Sequence, residues 1–366
     1  MKALEVINAL EDFAPLTYQE SYDNSGLQVG NAQVELTGVL ISLDITEAIV
    51  DEAMERGCNM IIAHHPLLFS GLKSITGRTY IERIVQKVIK NDIVIYAIHT
   101  NLDNMAQGVN QMIANKLGLT NTTILAPLAG TLRKLYTYAP AEAAETVREA
   151  LFTAGAGHVG LYSECSFNTV GTGTFKPGIN ADPTIGKPGG ERELVNEVKI
   201  EVLIRKDTEK RIIKALFDHH PYEEVAYDIV SLQNTNQDIG AGMIGVLPMP
   251  MSEDAFLTHI KNNLKTNCIR YTQLKGKPVE KVAICGGSGS FLLKDAIAQG
   301  ADFFVTADFK YHQFFDAEGK IVISDIGHYE SEQFTIQLIQ EILKKKIRNF
   351  ATLLSNLSTN PVKYFC

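Results

Sequence analysis

The chain of 366 residues is 45% hydrophobic and 21% charged, the makeup of a soluble protein with sizeable cores and enough length for two domains. Its net charge of −8 argues against a dedicated nucleic-acid binder, which would present a basic surface. No apolar run approaches membrane-spanning length, and five scattered cysteines without C-x-x-C spacing argue against a disulfide framework or thiolate zinc site, as expected of a cytoplasmic protein.

The opening MKALEVINALEDFAP reads as an amphipathic helix stopped by Pro15; it lacks the basic start and unbroken apolar core of a signal peptide. Strands over 38–43, 59–63 and 93–98 then alternate with helices over 46–56, 78–90 and 106–117. The C-terminal part repeats this order, with strands 280–285, 302–306 and 320–325, and helices 290–299, near 309–316, and 330–346. The last helix closes on Lys344, Lys345 and Lys346, where cations complement the helix dipole. Such alternation signals an α/β fold with mostly parallel sheets. EAMERGCNMIIAHH (52–65) also aligns without gaps on DAIAQGADFFVTAD (295–308), and the same offset lays GVLISL on KVAICG. The expectation is a duplicated three-layer αβα core, residues 1–126 and 241–366, with His65 opposite Asp308.

Between the halves, over 127–240, the order becomes strand LRKLYTYAP, helix AEAAETVREALFTAG and a strand or hairpin in HVGLYSECSFNTVGTGTFKP. A Gly/Pro-rich loop at 178–190 precedes strand NEVKIEVLIRK, helix TEKRIIKALFDHH and strand EEVAYDIVSL. That βαββαβ order is the ferredoxin-like pattern and points to a domain inserted through a loop. Residues 241–278 add the strand GMIGVLPMP and a helix starting at Ser252.

Metal-ligating residue types close three strands of the outer segments: His64 and His65 in IIAHHP, Asp103 in HTNLDN, and His328 with Glu332 in GHYESE. Strand ends on one sheet edge converge, and five such groups exceed one tetrahedral ion, so two ions are expected. His328 and Glu332, four apart at a helix start, share a face. His99 reads as a core or supporting histidine. In ADFKYH, Asp308 and His312 offer an imidazole-orienting partner or a proton donor and acceptor, or simply a helix cap. ICGGSGS supplies a glycine turn whose free amides could hold phosphate, although the lysine of a Walker motif is missing. YDNSGLQVG is an Asx-type turn or places Asp23 and Asn24 at the same crevice. His219 and His220 repeat the His-His-Pro letters but end a helix, and are assigned no metal.

Taken together, DNSGLQVG, IIAHHP, HTNLDN, CGGSG, ADFKYH and GHYESE resemble the dinuclear-metal family of GTP cyclohydrolase 1 type 2 homologues, also called Nif-three-like proteins. Tyr22 stands where that family usually has Trp. The insert, with HPYEEVAYD at 220–228, is similar to the PII- or CutA-like domain of longer bacterial members. The resemblance implies two divalent ions (zinc, manganese or iron) held by His64, His65, Asp103, His328 and Glu332, with one or more bridging carboxylates. It implies a toroidal homohexamer with insert domains at the ends of a central cavity. It also implies a metal-dependent hydrolase acting on GTP, with formate release, or on another nucleotide or phosphoester. In that reading Asp308 and His312 move protons, while Asn24, Gly286, Gly287 and Ser288 contact substrate. The rival is a non-catalytic metal-handling or regulatory protein with a ligand-sensing insert.

Overall fold

The computed structural model describes residues 1–348 and 350–365. The chain separates into two compact units, Met1–Pro127 with Gln237–Cys366, and Leu128–Asn236. Among the described residues no helix is long and apolar enough to cross a membrane.

The first segment runs α1 (Ala3–Glu11), β1 (Gly26–Val29), β2 (Val39–Ser42), α2 (Glu47–Glu55), β3 (Met60–Ala63), α3 (Tyr80–Lys90), β4 (Val94–Ala97), the single turn α4 (Thr100–Asp103), α5 (Val109–Lys116) and β5 (Thr120–Ala129). Thr46 and Thr79 cap α2 and α3 by accepting from the amides of Ile49 and Glu82. Strands β2, β3 and β4 are buried along their whole length, as expected of strands covered on both faces. Their side chains divide by alternation: Ile41, Ile62 and Tyr96 enter one core, and Leu40, Ile61 and Ile95 another.

The second unit contains β6 (Leu132–Pro140), α6 (Ala144–Thr153), β7 (Ser166–Phe175), β8 (Glu193–Arg205), α7 (Glu209–His219) and β9 (Tyr227–Ser231). Its sheet has the order β7-β8-β6-β9 with antiparallel pairing throughout. Both helices contribute to one core with the sheet, through Leu135, Ile200 and Ile204 from the strands and Val147, Leu151 and Leu216 from the helices.

The chain then returns through β10 (Thr235–Met251), α8 (Glu253–Asn263), β11 (Arg270–Tyr271), β12 (Val279–Ser288), α9 (Leu293–Ala298), β13 (Phe303–Ala307), β14 (Val322–Asp325), α10 (His328–Glu332), α11 (Thr335–Lys346) and β15 (Thr352–Leu354). Two mixed sheets result, ordered β1-β4-β3-β2-β15 and β11-β14-β13-β12-β10-β5. Their central strands run parallel, while β1 with β4, β10 with β12 and β11 with β14 pair antiparallel. Sequence patterning marks no strand at β1, β5, β11 or β15. The helix expected near 309–316 is a 3₁₀ segment, Tyr311–Ala317, and the one over 330–346 is split into α10 and α11.

The internal repeat survives in the register. Val39, Leu40 and Ile41 pair in parallel with Met60, Ile61 and Ile62; Val282, Ala283 and Ile284 pair likewise with Phe303, Phe304 and Val305. One constant offset relates the two sets, so strand pairing as well as composition is repeated.

The C-terminal segment is tied back by Glu52, whose carboxylate accepts from Arg56 Nη1 (2.7 Å), Ser355 Oγ (2.5 Å) and the Asn356 amide (2.9 Å). Burial pushes this carboxyl upward, but the Ser355 and Asn356 bonds outweigh it and hold the group below its ordinary value of 4.5. Its stabilisation is therefore present above about pH 4.5 and is lost as pH falls through the lowered value. Glu52→Ala should cost about 2 kcal/mol and speed hydrogen exchange at Asn356; unchanged exchange there would show that the carboxylate does not hold the tail.

Candidate metal centre

The ends of β3, β4 and β14 meet at one cavity of about 840 Å³, whose wall includes His65, Asp103, Asp308, His328 and Glu332. Each strand delivers its group differently. His64 and His65 follow β3 directly, α4 carries Asp103 one turn beyond β4, and α10 carries His328 and Glu332 after β14. Gly327, at φ +92°, makes the turn into α10; a Cβ there would lie 2.3 Å from Glu330 Oε2.

His64 is fully buried, and its Nδ1 donates to the Ile98 carbonyl at 2.8 Å. This leaves Nε2 with its lone pair facing Asp103 Oδ1 (3.6 Å) and Glu332 Oε1 (3.8 Å). His64 Nε2 and Asp103 Oδ1 are both buried without a hydrogen-bond partner among the described residues. Buried polar atoms are rarely orphaned. Bonds of about 2.0–2.2 Å to a tetrahedral ion would separate its ligand atoms by roughly 3.3–3.6 Å, close to the spacing here.

The other oxygen of Glu332 faces a second group. Oε2 lies 3.0 Å from His65 Nε2 and 3.1 Å from His328 Nε2, and those nitrogens are 3.3 Å apart. Behind them, His65 Nδ1 meets Asp44 Oδ1 at 2.7 Å and His328 Nδ1 meets Asp308 Oδ2 at 2.6 Å. Such pairs fix the ring orientation of a liganding histidine and raise its basicity. Thus His65, His328 and Glu332 form one candidate metal-holding group, and His64, Asp103 and Glu332 another. The donor set, imidazole with carboxylate, suits zinc, manganese or iron.

Charge follows the same geometry. Burial opposes protonation of His65, yet Asp44 and Glu332 outweigh it and lift the ring to about 9. His328 is lifted to about 11, as Asp308 and Glu332 overcome its burial. Burial pushes Glu332 upward, but His328, His64 and His65 hold it well below the ordinary carboxylate range. Asp103 is raised by burial and then by the charge of Glu332.

His99, expected as a core or supporting histidine, stands beside this cluster. Its ring lies 5.3 Å from both the His64 and His65 rings, and with them it forms a third candidate group. Its Nδ1 meets Asp23 Oδ1 at 2.8 Å, and Asp23 also accepts from Ser25 Oγ, Thr100 Oγ1 and the Thr100 amide. Burial raises Asp23, but His99 and Thr100 outweigh it and hold the carboxyl far below its ordinary range. Asp44 is not singled out by any sequence motif; its one signal is its place just beyond β2.

Several expected contacts take other roles. Asn24 donates to the Leu68 carbonyl at 2.5 Å and does not line the cavity. The glycine turn has no spare amides at its centre, because Gly286 donates to Asn110 Oδ1 (3.0 Å) and Gly287 to Ser331 Oγ (2.9 Å). Its effect is steric: at Gly287, φ +61°, a Cβ would lie 2.4 Å from Glu332 Oε1. Gly286 and Ser288 do line the cavity. Asp308 adopts φ +59°, breaking the helical spacing that would have set it over His312. His312 packs beside Tyr311 and Phe315 and is not part of the cavity wall.

Fold and site define an α/β protein built around a buried histidine–carboxylate cluster. The Duf34/NIF3 (NGG1p interacting factor 3) family profile matches residues 1–361, and the chain belongs to this family. It is 38% identical over 371 residues to the GTP cyclohydrolase 1 type 2 homolog of Bacillus subtilis, covering 98% of each chain. It is 39% identical over 370 residues to the protein of that name in Staphylococcus epidermidis, covering 100% of each. A Bacillus cereus protein related to NIF3 has a similar structure, with TM-score 0.87 and 40% identity over 100% of this chain and 99% of that one.

Two outcomes follow from the geometry. Metal requires neutral imidazoles, so binding near pH 7 should release protons from His65 and His328, and affinity should climb as pH rises toward about 9 and about 11. Calorimetric zinc titrations in buffers of different ionisation enthalpy read this directly; a buffer-independent heat would contradict it. Gly287→Ala should weaken metal affinity at least about tenfold by displacing the Glu332 carboxylate, measured by competition with a chromogenic chelator. An unchanged affinity would mean that the carboxylate does not have to sit there.

Proposed function

We propose that this protein is a dinuclear metal-dependent hydrolase acting on a nucleotide-like substrate. The observation that carries the reading is Glu332, with one carboxylate oxygen toward His65 and His328 and the other toward His64 and Asp103. Bound in these groups, two divalent ions would lower the pKa of water and polarise the bond attacked. His64, His65, Asp103, His328 and Glu332 are the proposed ligands. Asp44 and Asp308 keep the His65 and His328 rings turned so that Nε2 points inward. Zinc is the proposed metal, with manganese or iron acceptable to the same donors.

The substrate class rests on the cavity mouth and on the relatives. Tyr22, Phe69 and Phe291 line the cavity yet remain 70%, 54% and 64% exposed, offering ring faces on which a planar base can stack. The name GTP cyclohydrolase 1 type 2 homolog, borne by the relatives, points to opening of a guanine ring with loss of formate. Phosphoester cleavage is chemistry that the same ligand set would support.

We also read Leu128–Asn236 as a ferredoxin-like insert of the PII or CutA kind, supported by its βαββαβ order and its sheet order β7-β8-β6-β9. A ring-shaped homohexamer is the proposed assembly, to be checked by light scattering.

Metal-loaded protein should turn over GTP or another member of a nucleotide and phosphoester panel. Glu332→Ala and His64→Ala should each lower that turnover by about 10³-fold or more while the far-ultraviolet circular dichroism is retained. A folded, fully metal-loaded protein that turns over none of the panel, yet passes its ions to an acceptor protein, would replace the hydrolase with the metal-handling reading.

A further inference from the structure

We infer that the second unit carries a binding site for a small organic cation, an ammonium or guanidinium compound. This goes beyond the hydrolase reading and uses no residue of the metal centre. Within Leu128–Asn236 lies a second cavity of about 430 Å³, large enough for a small ligand. Its wall combines three aromatic rings, Tyr138, Phe175 and Tyr222, with three carboxylates, Glu197, Glu223 and Glu224, against one ammonium, Lys176. Anionic ligands meet a net negative wall there. A neutral apolar ligand would cover Glu197 while offering its charge no partner beyond the Tyr222 hydroxyl. A cation satisfies both features, because ring faces and carboxylates attract the same charge.

The wall is held in place by bonds that sequence reading could not assign. His220, read from the sequence as a helix-ending residue without a metal, braces it: Nε2 donates to the Tyr138 carbonyl at 2.9 Å, and Nδ1 accepts from the Tyr222 amide at 3.1 Å. The Tyr222 hydroxyl donates to Glu197 Oε1 at 2.8 Å, and its ring sits edge-on to Phe175 at 6.0 Å. The Gly/Pro-rich loop is pinned to the segment after α7 through Asp182 N to Glu223 Oε2 (2.7 Å) and Thr184 Oγ1 to the Pro221 carbonyl (2.5 Å).

Glu197 is the central group. Its Oε2 lies only 2.0 Å from where a Cβ at Gly173 would stand, so the absence of a side chain at 173 makes room for the carboxylate. Lys199, two residues along β8, pairs with Glu201 instead (2.9 Å). A carboxylate kept beside two tyrosines and a phenylalanine is the expected apparatus for capturing a small cation.

The test uses the full chain, loaded with metal so that the metal centre cannot take up the probe. Choline and agmatine are titrated by calorimetry, with dimethylbutanol, the uncharged carbon isostere of choline, as control. The expected result is saturable binding of at least one cation and none of the isostere. Glu197→Gln should weaken that binding about tenfold with metal content unchanged, since glutamine still accepts from Tyr222. Gly173→Ala should weaken it through the displaced carboxylate. Absence of saturable binding by both cations, equal binding of the isostere, or full affinity in Glu197→Gln would overturn the assignment.

Discussion

One buried carboxylate organises this protein. Glu332 is 2% exposed, and a charge so placed is costly unless paired on every side. The chain meets that demand with three imidazoles, from His64, His65 and His328, reached from two distant stretches of sequence. Two of those rings are backed by Asp44 and Asp308, which adds negative charge to the cluster. Among the described residues His64 Nε2 and Asp103 Oδ1 have no hydrogen-bond partner, which marks where pairing within the chain stops at a group able to hold a metal ion.

The repeated β-α-β unit explains how such a cluster arises. The offset that relates the two registers sets His65 on Asp308 and Asp44 on Gly287. In the first half, Asp44 orients the histidine that closes the next strand. In the second, the position equivalent to Asp44 has no side chain, and the space is filled by the Glu332 carboxylate. Asp308, equivalent to His65, orients His328 in turn. Each half thus supplies an imidazole with a carboxylate behind it, but only the position shared by His65 and Asp308 is used in both, once for the ring and once for the carboxylate. The repeat provides the matching strand ends, and divergence at a few strand-end residues provides the asymmetry.

Much of this is legible in the sequence because buried parallel strands have continuous β-branched runs and their ligands fall just after them. The runs in β2, β3, β4, β12, β13 and β14 carry that signal, and the His64, His65, Asp103, His328 and Glu332 side chains that follow such runs gather in one cluster. The edge strands β1 and β15 escape because GLQV and TLL are too short to establish a period. One supporting carboxylate, Asp44, is hidden for another reason. It works through a side-chain bond to a residue 21 positions away, which no local pattern encodes. Asp23, by contrast, stands in a motif that offers it to the crevice without naming His99, 76 positions on, as its partner. His312 is the opposite case: helical spacing suggests a shared face with Asp308, and the left-handed backbone at Asp308 removes it.

The position of bound ions is the most direct test of the Glu332 cluster. Crystals grown with manganese and measured at an absorption edge should show two anomalous peaks flanking the Glu332 carboxylate, one beside His65 and His328 and the other beside His64 and Asp103. A lone peak held by other side chains, or none beside Glu332, would contradict it.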